Sequence, residues 1–134
     1  MTPDSKKILI IEDEAALLQV LNDKLKREKF TVYTAKDGVE GLKASLKYNP
    51  DIILLDIVMP VMDGVTMLKK LRDNPKTEQT PVIIISNLSE IERITEILQA
   101  KKGVIEHLVK SHWSMEGLIS KIKDTLKIYN LLKE

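Results

Sequence analysis

Two hydrophobic periods alternate five times along the chain, and this alternation restricts its possible folds more than any other feature. Runs rich in β-branched and other apolar residues occur at 8–11, 30–35, 52–55, 82–85 and 104–109. Several of these runs are apolar at every position, which is typical of strands covered by helices on both faces. The stretches between them repeat their apolar residues at helical spacing.

Five stripes of apolar residues predict five helices. Asn49-Pro50 and Asn74-Pro75 are expected to end the second and third helices, and Ser114 is a good N-cap for the last one. Five consecutive βα units predict an α/β fold with a doubly wound, five-stranded parallel sheet. The predicted stripes are Leu17, Leu18, Leu21 and Leu25; Val39, Leu42 and Leu46; Val65, Leu68 and Leu71; Ile91, Ile94, Thr95 and Leu98; and Leu118, Ile119, Ile122, Leu126 and Tyr129.

The length and charge of the chain narrow the possible functions. It has 134 residues, of which 43% are hydrophobic, so we expect one domain over residues 1–134. Its core should run from about residue 6 to 127, and the last helix to about 132. The formal net charge of +1 gives no case for direct nucleic-acid or membrane binding through the whole surface. The lack of cysteine and of any long apolar segment favours a cytoplasmic location.

Polar residues follow four of the predicted strands. They are Glu12-Asp13, Asp56, Ser86 and Lys110. In a doubly wound sheet the binding site lies beyond the carboxyl ends of the strands, so these side chains should converge. Alone, Asp56 could cap a loop and Lys110 could be solvated. Together, clustered carboxylates favour binding of a hard cation such as Mg²⁺. The ammonium of Lys110 and the hydroxyl of Ser86 would complete a site for phosphoryl transfer.

Four segments resemble the receiver domains of two-component response regulators. They are Ile-Leu-Ile-Ile-Glu-Asp-Glu from residue 8, Ile-Leu-Leu-Asp-Ile-Val-Met-Pro-Val-Met-Asp-Gly from residue 53, Val-Ile-Ile-Ile-Ser from residue 82, and Leu-Val-Lys from residue 108. The resemblance covers about residues 7–126. It implies a flavodoxin-like sheet with strand order 2-1-3-4-5.

The resemblance also implies a phosphoacceptor and a Mg²⁺ site. Asp56 would be the nucleophile that carries the phosphoryl group, and it would also bind the metal. Asp13 would bind Mg²⁺ directly and Glu12 through a water molecule. The backbone carbonyl of Val58 would supply a further ligand. The reaction would be confined to the chain's own aspartate, so the protein is not expected to be an enzyme acting on other substrates.

Three further roles follow from the same resemblance. Lys110 would hold a phosphoryl oxygen, and Ser86 would donate its hydroxyl and move when the phosphoryl group arrives. His107 stands where the family usually has a tyrosine or phenylalanine, so it would be the second switch residue or a half-buried strand residue. Asn87 replaces a small residue, and Ser111 replaces the proline that often follows the lysine. These departures affect the switch and leave the nucleophile and metal ligands unchanged.

The implied partners are proteins. A sensor histidine kinase or a histidine phosphotransfer protein would donate the phosphoryl group. A downstream protein would bind the face formed by the fourth and last predicted helices and the fifth strand. The chain would be a monomer or a weak dimer. A pseudo-receiver that only binds partners is the main alternative, although such proteins normally lose an acceptor, metal or lysine residue. An aspartate-nucleophile phosphatase would need a general acid where Val58 stands.

Overall fold

The residues that the structure describes form five strands and four helices. The computed structural model describes residues 5–56, 64–86, 105–109 and 114–133. In chain order the elements are β1 (Lys7–Ile11), α1 (Ala15–Arg27), β2 (Thr31–Ala35), α2 (Gly38–Tyr48), β3 (Ile52–Asp56), α3 (Gly64–Asp73), β4 (Val82–Ser86), β5 (Ile105–Val109) and α4 (Met115–Lys133). The fourth predicted helix, with its stripe from Ile91 to Leu98, lies outside the described residues.

All the described strand pairs are parallel, in the order β2-β1-β3-β4-β5. The predicted parallel α/β fold is therefore confirmed, and the described strands follow the order that the resemblance implied. From β1 the chain continues to β2 on one side and then crosses to β3, β4 and β5 on the other side. The strand order therefore reverses between β1 and β3. Ligands of doubly wound sheets bind at this reversal, beyond the carboxyl ends of the strands.

The core consists of two apolar layers, one on each face of the sheet. Alternate residues of the central strands point to opposite faces, as the pleat requires. Leu9, Ile53 and Ile84 belong to the layer that α2 and α3 cover. Ile10 and Leu54 belong to the layer that α1 and α4 cover. Strands buried on both faces explain the continuous apolar runs in the sequence.

Three helices bury the faces that their stripes predict, and α2 does not. The buried side chains of α1, α3 and α4 include Leu21, Leu68 and Ile122 from the predicted sets. The α2 stripe, in contrast, is only half-buried, and the helix turns Gly38, Gly41 and Ser45 toward the interior. A Cβ on Gly41 would lie 2.6 Å from Ile11 Cδ1, so small residues allow α2 to approach β1 closely.

Side chains and a left-handed residue fix the helix ends. The Asp37 carboxylate accepts the backbone N–H of Glu40 at 2.8 Å at the start of α2. Asn49 ends the same helix with φ of 49°, as Asn49-Pro50 predicted. The hydroxyl of Ser114 accepts the N–H of Gly117 at 3.0 Å, which confirms the predicted N-cap of α4. Among the described residues, no helix combines the length and apolar character that crossing a bilayer requires.

A buried arginine holds the connection between α3 and β4. The guanidinium of Arg72 donates to the carbonyls of Thr77 at 2.9 Å and Thr80 at 2.8 Å. Burial lowers the pKa of Arg72 to about 10, so the group is still charged at neutral pH. These charge-assisted bonds stabilise the turn that leads into β4, the strand that pairs with β3.

Candidate functional site

The carboxyl ends of β1 and β3 lie side by side and bring two acidic residues together. Ile11 of β1 is in register with Leu55 of β3, so the next residues, Glu12 and Asp56, lie on adjacent strands. The N–H of Glu12 donates to the carbonyl of Ala35 on β2 at 3.0 Å, which holds this residue against the sheet. Strand register therefore places both carboxylates at one edge of the sheet.

Glu12, Asp13 and Asp56 form a compact acidic cluster. One carboxylate oxygen from each residue lies within 4.8 Å of the others. The Glu12 and Asp56 side chains are only 2% and 5% exposed, whereas Asp13 is exposed to solvent. Three negative charges this close repel one another, most strongly where burial reduces solvent screening. The predicted convergence of these three residues is confirmed.

Glu12 also shapes the turn between β1 and α1. Its Oε2 accepts the backbone N–H of Glu14 at 3.1 Å. This bond closes the turn around Asp13, so the buried carboxylate fixes the backbone that carries the exposed one. This role of Glu12 is not among those predicted from the sequence. The signal available in the sequence is a carboxylate two residues before the N-cap, Glu14, which is itself a weak capping residue.

The other predicted site residues are described less fully. Asp56 is in register with Ile85, so Ser86 follows the residue beside Asp56, and Ser86 is in turn in register with Val109. The backbone of His107 belongs to β5, opposite Ile84. The side-chain roles of Ser86 and His107 stay predictions. Lys110 and Val58 lie outside the described residues, so their roles stay predictions.

The chemistry of the acidic cluster suits a hard divalent cation. Its donors are carboxylate oxygens, without imidazole or thiolate groups that would favour zinc. Magnesium is commonly held by one or two carboxylates and keeps other positions for water or phosphate oxygens. A cation there would offset the mutual repulsion of the carboxylates, and the exposed Asp13 leaves the cluster open to a ligand from solvent.

Comparison with known proteins identifies a family and several relatives. The family profile described as "Response regulator receiver domain" matches residues 8–123. The response regulator PleD of Caulobacter vibrioides is 44% identical over 84 residues, which are 63% of this chain and 18% of that protein. The transcriptional regulatory protein PrrA of Mycobacterium tuberculosis is 35% identical over 125 residues, 92% of this chain and 51% of that protein.

The fold also matches solved structures. The receiver domain of the Francisella response regulator 1452 superposes with a TM-score of 0.79 at 31% identity, covering 92% of this chain and 98% of that one. The two curated relatives named above are longer, and the chain spans about a fifth of the first and half of the second.

Proposed function

Because the chain belongs to the family of response regulator receiver domains, we propose that it is a switch phosphorylated on Asp56 in a Mg²⁺-dependent reaction. The phosphoryl group comes from a phosphohistidine of a sensor kinase or of a phosphotransfer protein. The chain's chemistry is limited to gaining and losing this group. The observation that carries the proposal is the cluster of three carboxylates within 4.8 Å at the carboxyl edge of the sheet.

Phosphorylation is a substitution at phosphorus. A carboxylate oxygen of Asp56 attacks the phosphorus, a P–O bond forms, and the P–N bond to the donor imidazole breaks, with the electron pair leaving on that nitrogen. When the signal ends, the oxygen of a water molecule attacks the same phosphorus, and the P–O bond to Asp56 breaks with its electron pair leaving on the carboxylate. Inorganic phosphate is released. Such a reaction needs positioning and charge stabilisation more than acid–base groups. The position of Asp56 at the end of β3 supports the role of nucleophile.

Bound Mg²⁺ would neutralise charge on the incoming phosphoryl oxygens. Asp13 and Asp56 would bind it through their carboxylates, the carbonyl of Val58 would add a ligand, and Glu12 would act through water. The hydrogen bond from Glu14 N–H to Glu12 supports this division, because it occupies one oxygen of the buried carboxylate and holds the turn in place. Lys110 would pair with the phosphoryl group as a point charge.

The switch would work through groups that gain a partner when Asp56 is phosphorylated. The acyl phosphate carries about −1.5 to −2 charges where the carboxylate carried −1, and it adds phosphoryl oxygens that accept hydrogen bonds. The hydroxyl of Ser86 would move toward it, and the side chain of His107 would follow into the vacated space. This movement would change the surface that the fifth strand presents to a downstream protein. Strand register supports it, because Ser86 follows the residue paired with Asp56.

Phosphorylation of the isolated chain tests the proposal. Incubation with acetyl phosphate and MgCl₂ should add one phosphoryl group, measured by intact-protein mass spectrometry. The same incubation with EDTA, or with the Asp56→Asn variant, should add none. Asp51→Asn is a matched control, because Asp51 directly precedes the first residue of β3, at the end opposite to Asp56. It should be phosphorylated at the wild-type rate.

The pseudo-receiver alternative predicts a different result. A protein that only binds partners would stay unmodified in acetyl phosphate with Mg²⁺, and it would bind the same partners as Asp56→Asn. The relatives do not favour this alternative, and the acceptor and both acidic metal ligands are present. An unmodified wild-type chain under these conditions would contradict the proposed function.

A further inference from the structure

A lysine follows β2 at the edge of the sheet where the acidic cluster lies. Ile11 is in register with Ala35, and the N–H of Glu12 donates to the carbonyl of Ala35 at 3.0 Å. The pairing of β1 with β2 therefore continues one residue past both strands, which places Lys36 beside Glu12. Neighbouring strands are about 5 Å apart. The backbone of Lys36 is thus one strand spacing away from a residue of the acidic cluster.

The charge of Lys36 is available to an approaching ion. Its side chain is exposed, and within the described ranges its ammonium has no ion-pair or hydrogen-bond partner. The acidic residues near it have other roles, because Glu12 and Asp13 belong to the acidic cluster and Asp37 caps α2. Taken together these carboxylates make the edge of the sheet negative, so it repels anions. A positive charge among them lowers that repulsion.

A phosphodonor and the metal ion carry opposite charges, so one lysine acts on them in opposite directions. The phosphoryl group of acetyl phosphate or of a phosphohistidine is a dianion, whereas Mg²⁺ is a dication. The flexible stem of Lys36 brings its ammonium within about 10 Å of the acidic cluster. In water, at an ionic strength of about 0.05 M, a unit charge at that distance changes the local concentration of a divalent ion about twofold.

We propose that Lys36 steers phosphodonors to Asp56 according to their charge and at the same time weakens the binding of Mg²⁺. This inference rests on the proposed function, because it takes Asp56 as the acceptor. Lys36 acts through its electric field and does not contact the reacting atoms. Because a dianion gains more than a monoanion, Lys36 determines specificity among donors.

The test is to reverse the charge at position 36 in the full chain and to compare two donors. Acetyl phosphate is a dianion near neutral pH, and phosphoramidate is a monoanion. At about 0.05 M ionic strength, Lys36→Glu should slow phosphorylation by acetyl phosphate about fourfold and by phosphoramidate about twofold. Initial rates are measured by intact-protein mass spectrometry, with enough MgCl₂ to saturate each variant and NaCl added to a common ionic strength.

Two further variants separate charge from shape. Lys36→Arg keeps the charge and should react within about 1.5-fold of the wild-type rate. Lys29→Glu makes the same reversal at an exposed lysine two residues before β2, about 20 Å from Lys36, and should also stay within about 1.5-fold. In about 0.5 M NaCl the effect of Lys36→Glu should largely disappear, because salt then screens charges beyond about 4 Å.

The second measurement is Mg²⁺ binding by isothermal titration calorimetry, without any phosphodonor. Lys36→Glu should bind Mg²⁺ about fourfold more tightly than the wild type, although it is phosphorylated more slowly. A variant with a damaged site would lose both properties together. Circular dichroism would establish that each variant is folded.

Three results would overturn the inference. Equal slowing of the two donors by Lys36→Glu, or slow phosphorylation of Lys36→Arg, would show that the shape of the side chain matters and its charge does not. An unchanged dissociation constant for Mg²⁺ in Lys36→Glu would show that the charge does not reach the cluster. A wild-type rate for Lys36→Glu with acetyl phosphate would contradict the role of Lys36 alone, whereas a wild-type chain that stays unmodified would contradict the proposed function as well.

Discussion

Replacing Asp13 by asparagine should stabilise the protein when divalent cations are absent. The carboxylate oxygens of the acidic cluster lie within 4.8 Å of one another. At an effective dielectric constant of about 20, two unit charges at that distance repel by about 3.5 kcal/mol. Asp13 is exposed, so water screens much of this repulsion, and we expect a gain of about 1 kcal/mol in the free energy of unfolding. Asparagine keeps the size and removes the charge.

Magnesium should reverse the advantage of the variant. When the free Mg²⁺ concentration is about ten times the dissociation constant, binding stabilises the wild-type protein by about 1.4 kcal/mol. Asp13→Asn loses a direct ligand and should gain less. The assay is urea unfolding followed by circular dichroism, in EDTA and in MgCl₂. In EDTA the midpoint of Asp13→Asn should exceed that of the wild type by about 0.5 M.

A control separates the acidic cluster from a general effect of charge. Asp124→Asn removes an exposed carboxylate from α4, far from the sheet edge where the cluster lies, and should not stabilise the protein. The reasoning is refuted if Asp13→Asn is no more stable than the wild type in EDTA. It is also refuted if MgCl₂ stabilises both proteins equally, because the cation would then bind elsewhere.

Three further substitutions test the packing that positions the site, each by urea unfolding. Arg72→Met should lower the free energy of unfolding by about 2 kcal/mol, because two backbone carbonyls lose a charged donor in a buried turn. An unchanged urea midpoint would contradict this prediction. Asp37→Ala should cost about 1 kcal/mol through loss of the α2 cap, while Asp37→Asn stays near wild type. Gly41→Ala should lower the free energy of unfolding by about 1–2 kcal/mol, because the new methyl group meets the side chain of Ile11. Adding Ile11→Val, which deletes the contacted methyl group, should recover part of this loss. If the effects of the two substitutions are simply additive, the two residues do not clash.

The sequence predicts the strands and three of the described helices well because burial on both faces leaves a strong pattern. Ile53 and Ile10 lie in runs that are apolar throughout, and both are fully buried. The second strand was predicted to begin at Phe30 and begins at Thr31. Phe30 N–H donates to the carbonyl of Leu25, and Lys29 has φ of 75°, so these residues end α1. Such local hydrogen bonds leave little trace in hydrophobic periodicity.

The face of α2 was harder to predict for a physical reason. Leucines at helical spacing normally mark the buried side, but here Gly41 allows a closer approach than a leucine would, and Leu42 lies at the margin of the core. A search for apolar side chains at helical spacing does not identify glycine as a buried position, because glycine has no side chain. For the site, the rule for doubly wound sheets placed the three carboxylates correctly. The hydrogen bond from Glu14 to Glu12 depends on the shape of one turn, which the rule does not specify.

The most direct test of the central claim is to locate the phosphorylated residue. Borohydride reduction converts an aspartyl phosphate into homoserine, which tandem mass spectrometry assigns to one position. After reaction with acetyl phosphate, we expect homoserine at position 56 when MgCl₂ is present and none when EDTA replaces it. Homoserine at another position, or an equal yield at position 56 without divalent cations, would contradict the account.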